Sequence, residues 1–143
     1  MTRIRRHALM PYTPAQMFDV VNNVAAYPEF LPWCLSSEVL SESFTEMLAR
    51  VELGKGPVKK RFTTRNQLDR PGSIHVELDE GPFEMLSGDW LFSAISDAGC
   101  KVEMDIAFEL KGGLSDKALG VVFSQIAGTL VDAFCRRAEQ LYD

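Results

Sequence analysis

The chain has 143 residues, 46% hydrophobic and 24% charged, with a net charge of −5. A domain of that size buries roughly two-thirds of its unfolded surface, so its core needs neither disulfide nor metal staples. Three widely spaced cysteines (Cys34, Cys100, Cys135), no C-x-x-C pair, and no apolar run near the ~20 residues of a membrane span predict one soluble cytoplasmic domain, residues 1–143, with free thiols. The basic start MTRIRRHALMPYT is not followed by an apolar run, which argues against a secretory signal.

Residues 2 to 10 alternate loosely and read as a first strand. YTPAQMFDVVNNV then opens a helix: Thr13 is the N-cap, Pro14 suits the first helical position, and Gln16 completes a capping box. Met17, Val20, Val21 and Val24 form its apolar stripe, and Asn22 and Asn23 end or bend it. AAYPEFLPWC, residues 25 to 34, sets Tyr27, Phe30, Leu31 and Trp33 around Pro28 and Pro32. That segment is too broken for regular structure and too apolar for an ordinary loop.

After Trp33 the apolar period becomes two. SSEVLSESF and EMLARVELG read as strands joined near Ser43, and GKGP is a turn. In VKKRFTTRNQL, Val58, Phe62, Thr64 and Leu68 share one face, and Lys59, Arg61, Arg65 and Gln67 the other. SIHVELDEG turns Ile74, Val76 and Leu78 inward, and two more strands, GPFEMLSGDWLFSAIS and CKVEMDIAFEL, complete the sheet. KGGLSDK reads as a turn plus cap, with Ser115 the N-cap of a helix running nearly to Asp143. Its stripe is Leu119, Val122, Phe123, Ile126, Leu130, Phe134, Ala138 and Leu141. Gly120 and Gly128 weaken this helix by roughly 1 kcal/mol each against Ala and mark close approach to a neighbour.

Hairpin-length turns make the sheet antiparallel, and one long apolar-striped helix must cover one of its faces. Seven aromatics are expected near the space between them: Phe62, Phe83, Trp90, Phe92, Phe108, Phe123 and Phe134. Residues 54 to 68 carry Lys55, Lys59, Lys60, Arg61 and Arg65 and no acid. Removing those five from the 15 Lys and Arg leaves 10 bases against 20 acids. Such a stripe is a solvated strand face or a contact for phosphates and anionic head groups.

YPEFLPWC, GPFEMLSGDWLF, the FTTRNQL strand and the long last helix resemble the RatA and coenzyme Q-binding protein family. This family lies in the START-like, helix-grip superfamily that also takes in polyketide cyclases and lipid transport proteins. The likeness runs from about residue 3 to residue 142. It implies an α+β helix-grip fold: a curved antiparallel sheet of about six to seven strands wrapped on the C-terminal helix, with two short helices after strand 1 and an apolar cavity between sheet and helix. It also implies ubiquinone binding in support of respiration, or binding to the large ribosomal subunit that blocks subunit joining.

In that fold the proline-flanked segment becomes a lid whose prolines keep it from acting as an edge strand. The candidate cavity residues are Tyr27, Phe30, Leu31, Trp33, Phe62, Phe83, Leu86, Trp90, Phe92, Val122, Phe123, Ile126 and Leu130. Trp90 leads, because an indole both stacks and donates a hydrogen bond. Lys55, Lys59, Lys60, Arg61 and Arg65 are the candidate contacts for RNA or a membrane surface.

His7 and His75 sit on different strands with no ligand at metal spacing, and no nucleophile-elbow, zinc-protease or complete phosphate-loop pattern occurs. Alternation turns Glu77 and Asp79 outward, and Cys34 reads as an inert packed thiol. The expectation is a monomer with no catalytic residue, no metal, no required cofactor and no DNA partner. It takes ubiquinone or a related lipid as ligand and works in the cytoplasm or at the inner membrane surface. An aromatase or cyclase acting through a polar cavity residue is the third reading.

Overall fold

In GCKVEMDIAFEL the inward set of a two-residue period is Cys100, Val102, Met104, Ile106 and Phe108, and all five are buried. Such a strand has one dry face, and the rest of the molecule supplies its cover. The computed structural model describes residues 1–111 and 117–143. Its elements run β1 (Thr2–Met10), α1 (Pro14–Asn22), a 3₁₀ helix (Val24–Glu29), β2 (Cys34–Glu42), β3 (Glu46–Lys55), β4 (Val58–Asp69), β5 (Ser73–Glu80), β6 (Phe83–Ser96), β7 (Gly99–Leu110) and α2 (Lys117–Tyr142). The α+β helix-grip arrangement implied by the resemblance is the one observed.

All neighbouring strands are antiparallel, in the order β1-β7-β6-β5-β4-β3-β2. β1 pairs with the last strand, from Thr2 opposite Phe108 to Met10 opposite Cys100. β1 and β2 therefore occupy opposite edges, and the chain must cross the sheet between them. α1 and the 3₁₀ helix make that crossing. Register shifts in β2, β5 and β6 bend their strands and help the sheet curl.

The cap of α1 is as expected. Gln16 N donates to Thr13 Oγ1 (3.2 Å), and Thr13 N donates back to Gln16 Oε1 (2.8 Å). The lid segment differs from expectation, because its first half is regular: Val24–Glu29 is a 3₁₀ helix with Pro28 inside it. A short helix tolerates proline near its end, where the missing N–H removes at most one bond.

α2 buries Leu119, Phe123, Ile126, Ala127, Val131, Phe134, Cys135 and Ala138. Leu141, placed on the stripe from sequence, is 51% exposed. By length and composition α2 is apolar enough to cross a membrane, contrary to the sequence expectation. Counting unbroken apolar runs missed this, because isolated Ser, Gln and Thr interrupt the run without lowering its mean hydropathy much. The buried face of α2 is applied to the sheet. A Cβ on Gly120 would lie 3.0 Å from Leu110 Cδ1, a close approach, whereas one on Gly128 would lie 3.4 Å from the tip of Arg6, an ordinary contact, so only the first glycine is where the sequence expectation put a tight neighbour. The KGGLSDK turn and the Ser115 cap lie outside the described residues. Cys34, Cys100 and Cys135 are buried and unpaired. Burial pushes the thiols of Cys34 and Cys135 up to about 11, so they remain protonated at neutral pH.

The uncovered face of the sheet is laced with ion pairs. Arg3 makes a two-pronged contact with Asp105 (2.9 and 2.8 Å), and Arg5 adds a third bond to the same carboxylate at 3.2 Å. His75 sits between Asp89 (2.6 Å) and Glu77 (2.7 Å). Hydrogen bonds first to Asp89 and then to Glu77 raise its pKa above the ordinary 6.5. A raised folded-state pKa gives stability that is complete below the unfolded value and lost as pH rises through the folded one. His75→Gln is therefore expected to lose stability relative to the native chain at about pH 5 and much less at about pH 9. Solvent screening holds the difference under about 1 kcal/mol. Urea midpoints at both pH values check this, and an equal loss at both would contradict the assignment.

Candidate functional site: an apolar cavity under the long helix

Four residues on the covered face line up across four strands. Asn66 on β4 is opposite Val76 on β5, Val76 opposite Gly88 on β6, and Gly88 opposite Ile106 on β7. They floor a cavity of about 120 Å³. Phe123, Ile126, Ala127, Leu130 and Phe134 of α2 roof it, and Val24, Tyr27 and Trp33 close one end. Ala49, Val51, Phe62, Thr64, Leu86 and Trp90 complete the wall.

The void exists because of where large and small residues fall. Phe62, Phe83, Phe108 and Phe123 form one edge-to-face cluster. Tyr27, Phe30, Trp90 and Phe134 form a second. Phe123 and Phe134 belong to different clusters and stand roughly 16 Å apart along the helix. Between the clusters, Ala49 and Ala127 stand where larger side chains would fill the space, and Gly88 makes room for Ile106, which a Cβ there would meet at 3.1 Å.

Few polar groups face the cavity. Tyr27 Oη donates to the Val21 carbonyl, so that proton is already used. Thr64 is 9% exposed and Asn66 is 7% exposed. Asn66 Oδ1 is buried with no hydrogen-bond partner. No carboxylate or imidazole is among the described residues of the lining. Among the described residues, no group of His, Cys, Asp and Glu is placed to hold a metal.

Trp33 is the partition between inside and outside. It lines the cavity, and with Ile126 it also lines an outer groove of about 360 Å³ together with Pro32, Gly54, Lys55, Gln125 and Thr129. Lys55 Nζ donates to Gln125 Oε1 across this groove at 2.9 Å. The Trp33 carbonyl accepts from Gly54 N at 2.8 Å, which ties the lid to β3. On the other side, Arg137 lies over the Phe30 ring (4.9 Å) and pairs with Glu29 (3.0 Å), tying the lid to α2.

Of the residues expected at the cavity, Tyr27, Trp33, Phe62, Leu86, Trp90, Phe123, Ile126 and Leu130 line it. Five stand elsewhere. Phe30 and Leu31 line a separate groove beside Arg136 and Arg137. Phe83 is sealed among Phe62, Phe108 and Phe123. Phe92 packs against Phe18 and Trp90, and Val122 is half-buried off the lining. The inward register of β4 contained the signal for Asn66, since it alternates with Thr64 and Leu68. Ala49 and Gly88 were signalled as small residues on the inward registers of β3 and β6.

The basic stripe is partly neutralised in the fold: its two arginines face acids, and its lysines make no ion pair among the described residues. Strand pairing brings Glu46 within 2.6 Å of Arg65 and Asp79 within 3.5 Å, and Glu52 stands 3.9 Å from Arg61. Lys60 and Arg61 share a groove with Arg50 and Lys111 and with Asp79, Glu80 and Glu84. Lys59 makes no ion pair among the described residues.

Residues 10–135 match the family described as polyketide cyclase / dehydrase and lipid transport. Over 141 residues the chain is 49% identical to the ribosome association toxin RatA of Pseudomonas aeruginosa, spanning 99% of this chain and 98% of that one. The chain belongs to the polyketide cyclase / dehydrase and lipid transport family, among the RatA proteins. Similarity extends to the mitochondrial coenzyme Q-binding protein COQ10 homolog B of Xenopus laevis, 28% identical over 138 residues, 94% of this chain and 57% of that one. The Zhui aromatase/cyclase from Streptomyces sp. R1128 superposes with a TM-score of 0.83 at 16% identity, over 97% of this chain and 94% of that one. At that identity the likeness is one of fold.

Proposed function

We propose that this protein binds, without transforming it, a lipophilic ligand with a flat ring, of the ubiquinone class, under α2, in support of respiration. The observation that carries the reading is the cavity, walled by aromatics and aliphatics with Thr64 and Asn66 among its few polar residues. Small-molecule sites usually offer ~300–1,000 Å³. A space of about 120 Å³ is below that range, so a substituted ring enters only with opening of the lid at Trp33, and an isoprenoid tail stays outside. The tail leaves past Trp33 into the outer groove, and its burial there supplies affinity at about 25 cal/mol per Å² of apolar surface before ordering costs. A ligand of this kind resides in lipid, so the protein works from the cytoplasm at an anionic membrane surface. Lys55, Arg136 and Arg137 border the two grooves flanking the lid and favour such a surface.

The test is mass spectrometry of organic extracts from protein purified out of a quinone-producing host. A quinone in stoichiometric reach of the protein is the expected result, and extracts free of it would sink the proposal.

A second reading, association with the large ribosomal subunit, is favoured by 49% identity, over nearly the full length of both chains, to a protein named for ribosome association. Cosedimentation with large subunits at low and high salt tests it, since phosphate contacts weaken steeply with salt. Arg61 and Arg65 already face acids, so the informative charge reversals are Lys59→Glu and Lys60→Glu. Cosedimentation unmoved by salt and by both reversals would remove the stripe from this reading.

A further inference from the structure

The first half of α2 is free of charge. From Ala118 to Val131 all 14 residues are uncharged, whereas Asp132, Arg136, Arg137, Glu139 and Asp143 crowd the second half. Burial does not account for this. Only 33% of the apolar stretch of the helix is buried, and Ala118, Val121, Gln125 and Thr129 are exposed on the side away from the sheet, Val121 by 59%. An exposed helix face ordinarily carries charge. This one begins at the end of the sheet that holds the β3–β4 turn, where Lys55 Nζ donates to Gln125 on the same face. Lys59 and Lys60 open β4 at that end, Lys111 follows β7, and Lys117 starts the helix. These five lysines are exposed and make no ion pair among the described residues, and Glu80, Glu84 and Glu109 are the acids near them that no arginine holds. The far end is the reverse: its turns and the end of α2 carry Glu42, Asp69, Asp97 and Asp143, with Arg70 the base among them.

We infer that the first half of α2 is a membrane-docking face: the protein lies on an anionic phospholipid bilayer with Val121 at the acyl boundary and Lys55, Lys59 and Lys117 among the phosphates. This rests on the membrane-surface part of the reading above and not on what fills the cavity. A helix with one buried face and one uncharged face suits the interfacial plane, where head groups and water still reach Gln125 and Thr129. Lysines meet phosphates through apolar stems that lie along the lipid. The acidic far end is repelled by an anionic surface, so the charge distribution sets the orientation as well as the attraction. An RNA would use the lysines and leave the uncharged face without a role, and an apolar protein surface would do the opposite. A bilayer uses both. It also accounts for the outer groove past Trp33, which Gln125, Ile126 and Thr129 line from α2. In this orientation the groove opens onto lipid, and a lipophilic molecule passes between bilayer and cavity without crossing water.

The test is flotation of the full chain with vesicles of phosphatidylcholine alone and of phosphatidylcholine and phosphatidylglycerol in equal parts. Binding to the anionic vesicles and not to the neutral ones is expected. Val121→Asp is expected to weaken it about tenfold or more, and so is the pair Lys55→Glu and Lys117→Glu. Ile95→Asp, at an apolar residue of similar exposure (57%) on the far end, is expected to leave it unchanged. Because Cys34, Cys100 and Cys135 are buried, an environment-sensitive dye attached to Val121→Cys reads the contact directly. Its emission is expected to shift to the blue on anionic vesicles, and that of the same dye on Ile95→Cys to stay unshifted. Equal binding to both vesicles, binding that Val121→Asp leaves intact, or an unshifted dye on Val121→Cys overturns the inference. So does failure to bind either vesicle, and if Val121→Asp then abolishes cosedimentation with large ribosomal subunits, the face belongs to the ribosome instead. The quinone found or missed in the organic extract decides the ring-binding reading separately from all of these.

Discussion

Phe134→Ala is expected to destabilise the protein by about 3–5 kcal/mol. Phe134 is 1% exposed, and its ring meets Tyr27 at 5.4 Å, Phe30 at 5.7 Å and Trp90 at 5.3 Å between centroids. It is the side chain through which α2, the lid and β6 all touch. Truncation forfeits the transfer free energy of a buried ring. It also joins the new void to the cavity of about 120 Å³ already present. The surroundings cannot collapse into that space, because the sheet floor is held by strand pairing on both sides. The cavity term therefore adds in full, and the loss takes a large share of the ~5–15 kcal/mol of a typical domain. Phe30→Ala is the control. Phe30 is half-buried, on the outer side of the same cluster, under the Arg137 guanidinium, and its loss is expected to be smaller. Urea unfolding of both variants measures the difference. A loss below about 1 kcal/mol for Phe134→Ala would mean that the helix and lid do not meet through this ring.

What the sequence made legible follows the range of the physics involved. The cap of α1 rests on Thr13, Pro14 and Gln16, all within one turn, and it was readable to the atom. The strands were readable because a period of two is local. The β1–β7 pairing was not, since it joins Thr2 to Phe108, and no local pattern records which edge a first strand will take. Charge behaved in the same way. Lys59 to Arg65 is a basic run along the chain, yet Glu46 and Asp79 arrive beside Arg65 through pairing with β3 and β5.

The candidate site was half legible for a related reason. Counting aromatics identified an apolar interior but not the direction of each ring. Phe83 and Phe92 have the inward register, as Leu86 and Trp90 do, yet their neighbours enclose them completely. A cavity is set by the small residues between the large ones. The informative positions were Ala49 and Ala127, which an inventory of large hydrophobic residues passes over. The buried amide of Asn66 was visible as a polar residue on an inward register, where a burial cost demands a reason.

That argument predicts the second large effect. Ala49→Leu is expected to abolish ligand retention, lowering affinity at least tenfold, while leaving the fold intact. Ala49 is 2% exposed, lines the cavity, and is paired across β3–β4 with Thr64, one pleat from Asn66. A leucine there projects into the volume the ring must occupy. Overpacking a filled core costs about 1–3 kcal/mol. Here part of that strain is offset, because the added methyl groups gain contacts in a space now empty. The net change in stability is expected within about 1 kcal/mol of zero, in contrast to Phe134→Ala. Ligand retained per mole of purified protein, read beside the urea midpoint, separates the two variants. If Ala49→Leu protein keeps its full complement of ligand at unchanged stability, the ring does not sit between β3 and α2, and the binding site must be sought in the grooves beside Trp33. If ligand and fold are lost together, the cavity is too tightly enclosed to be filled, and its role would be carried by opening at Trp33 rather than by the volume present in the closed state.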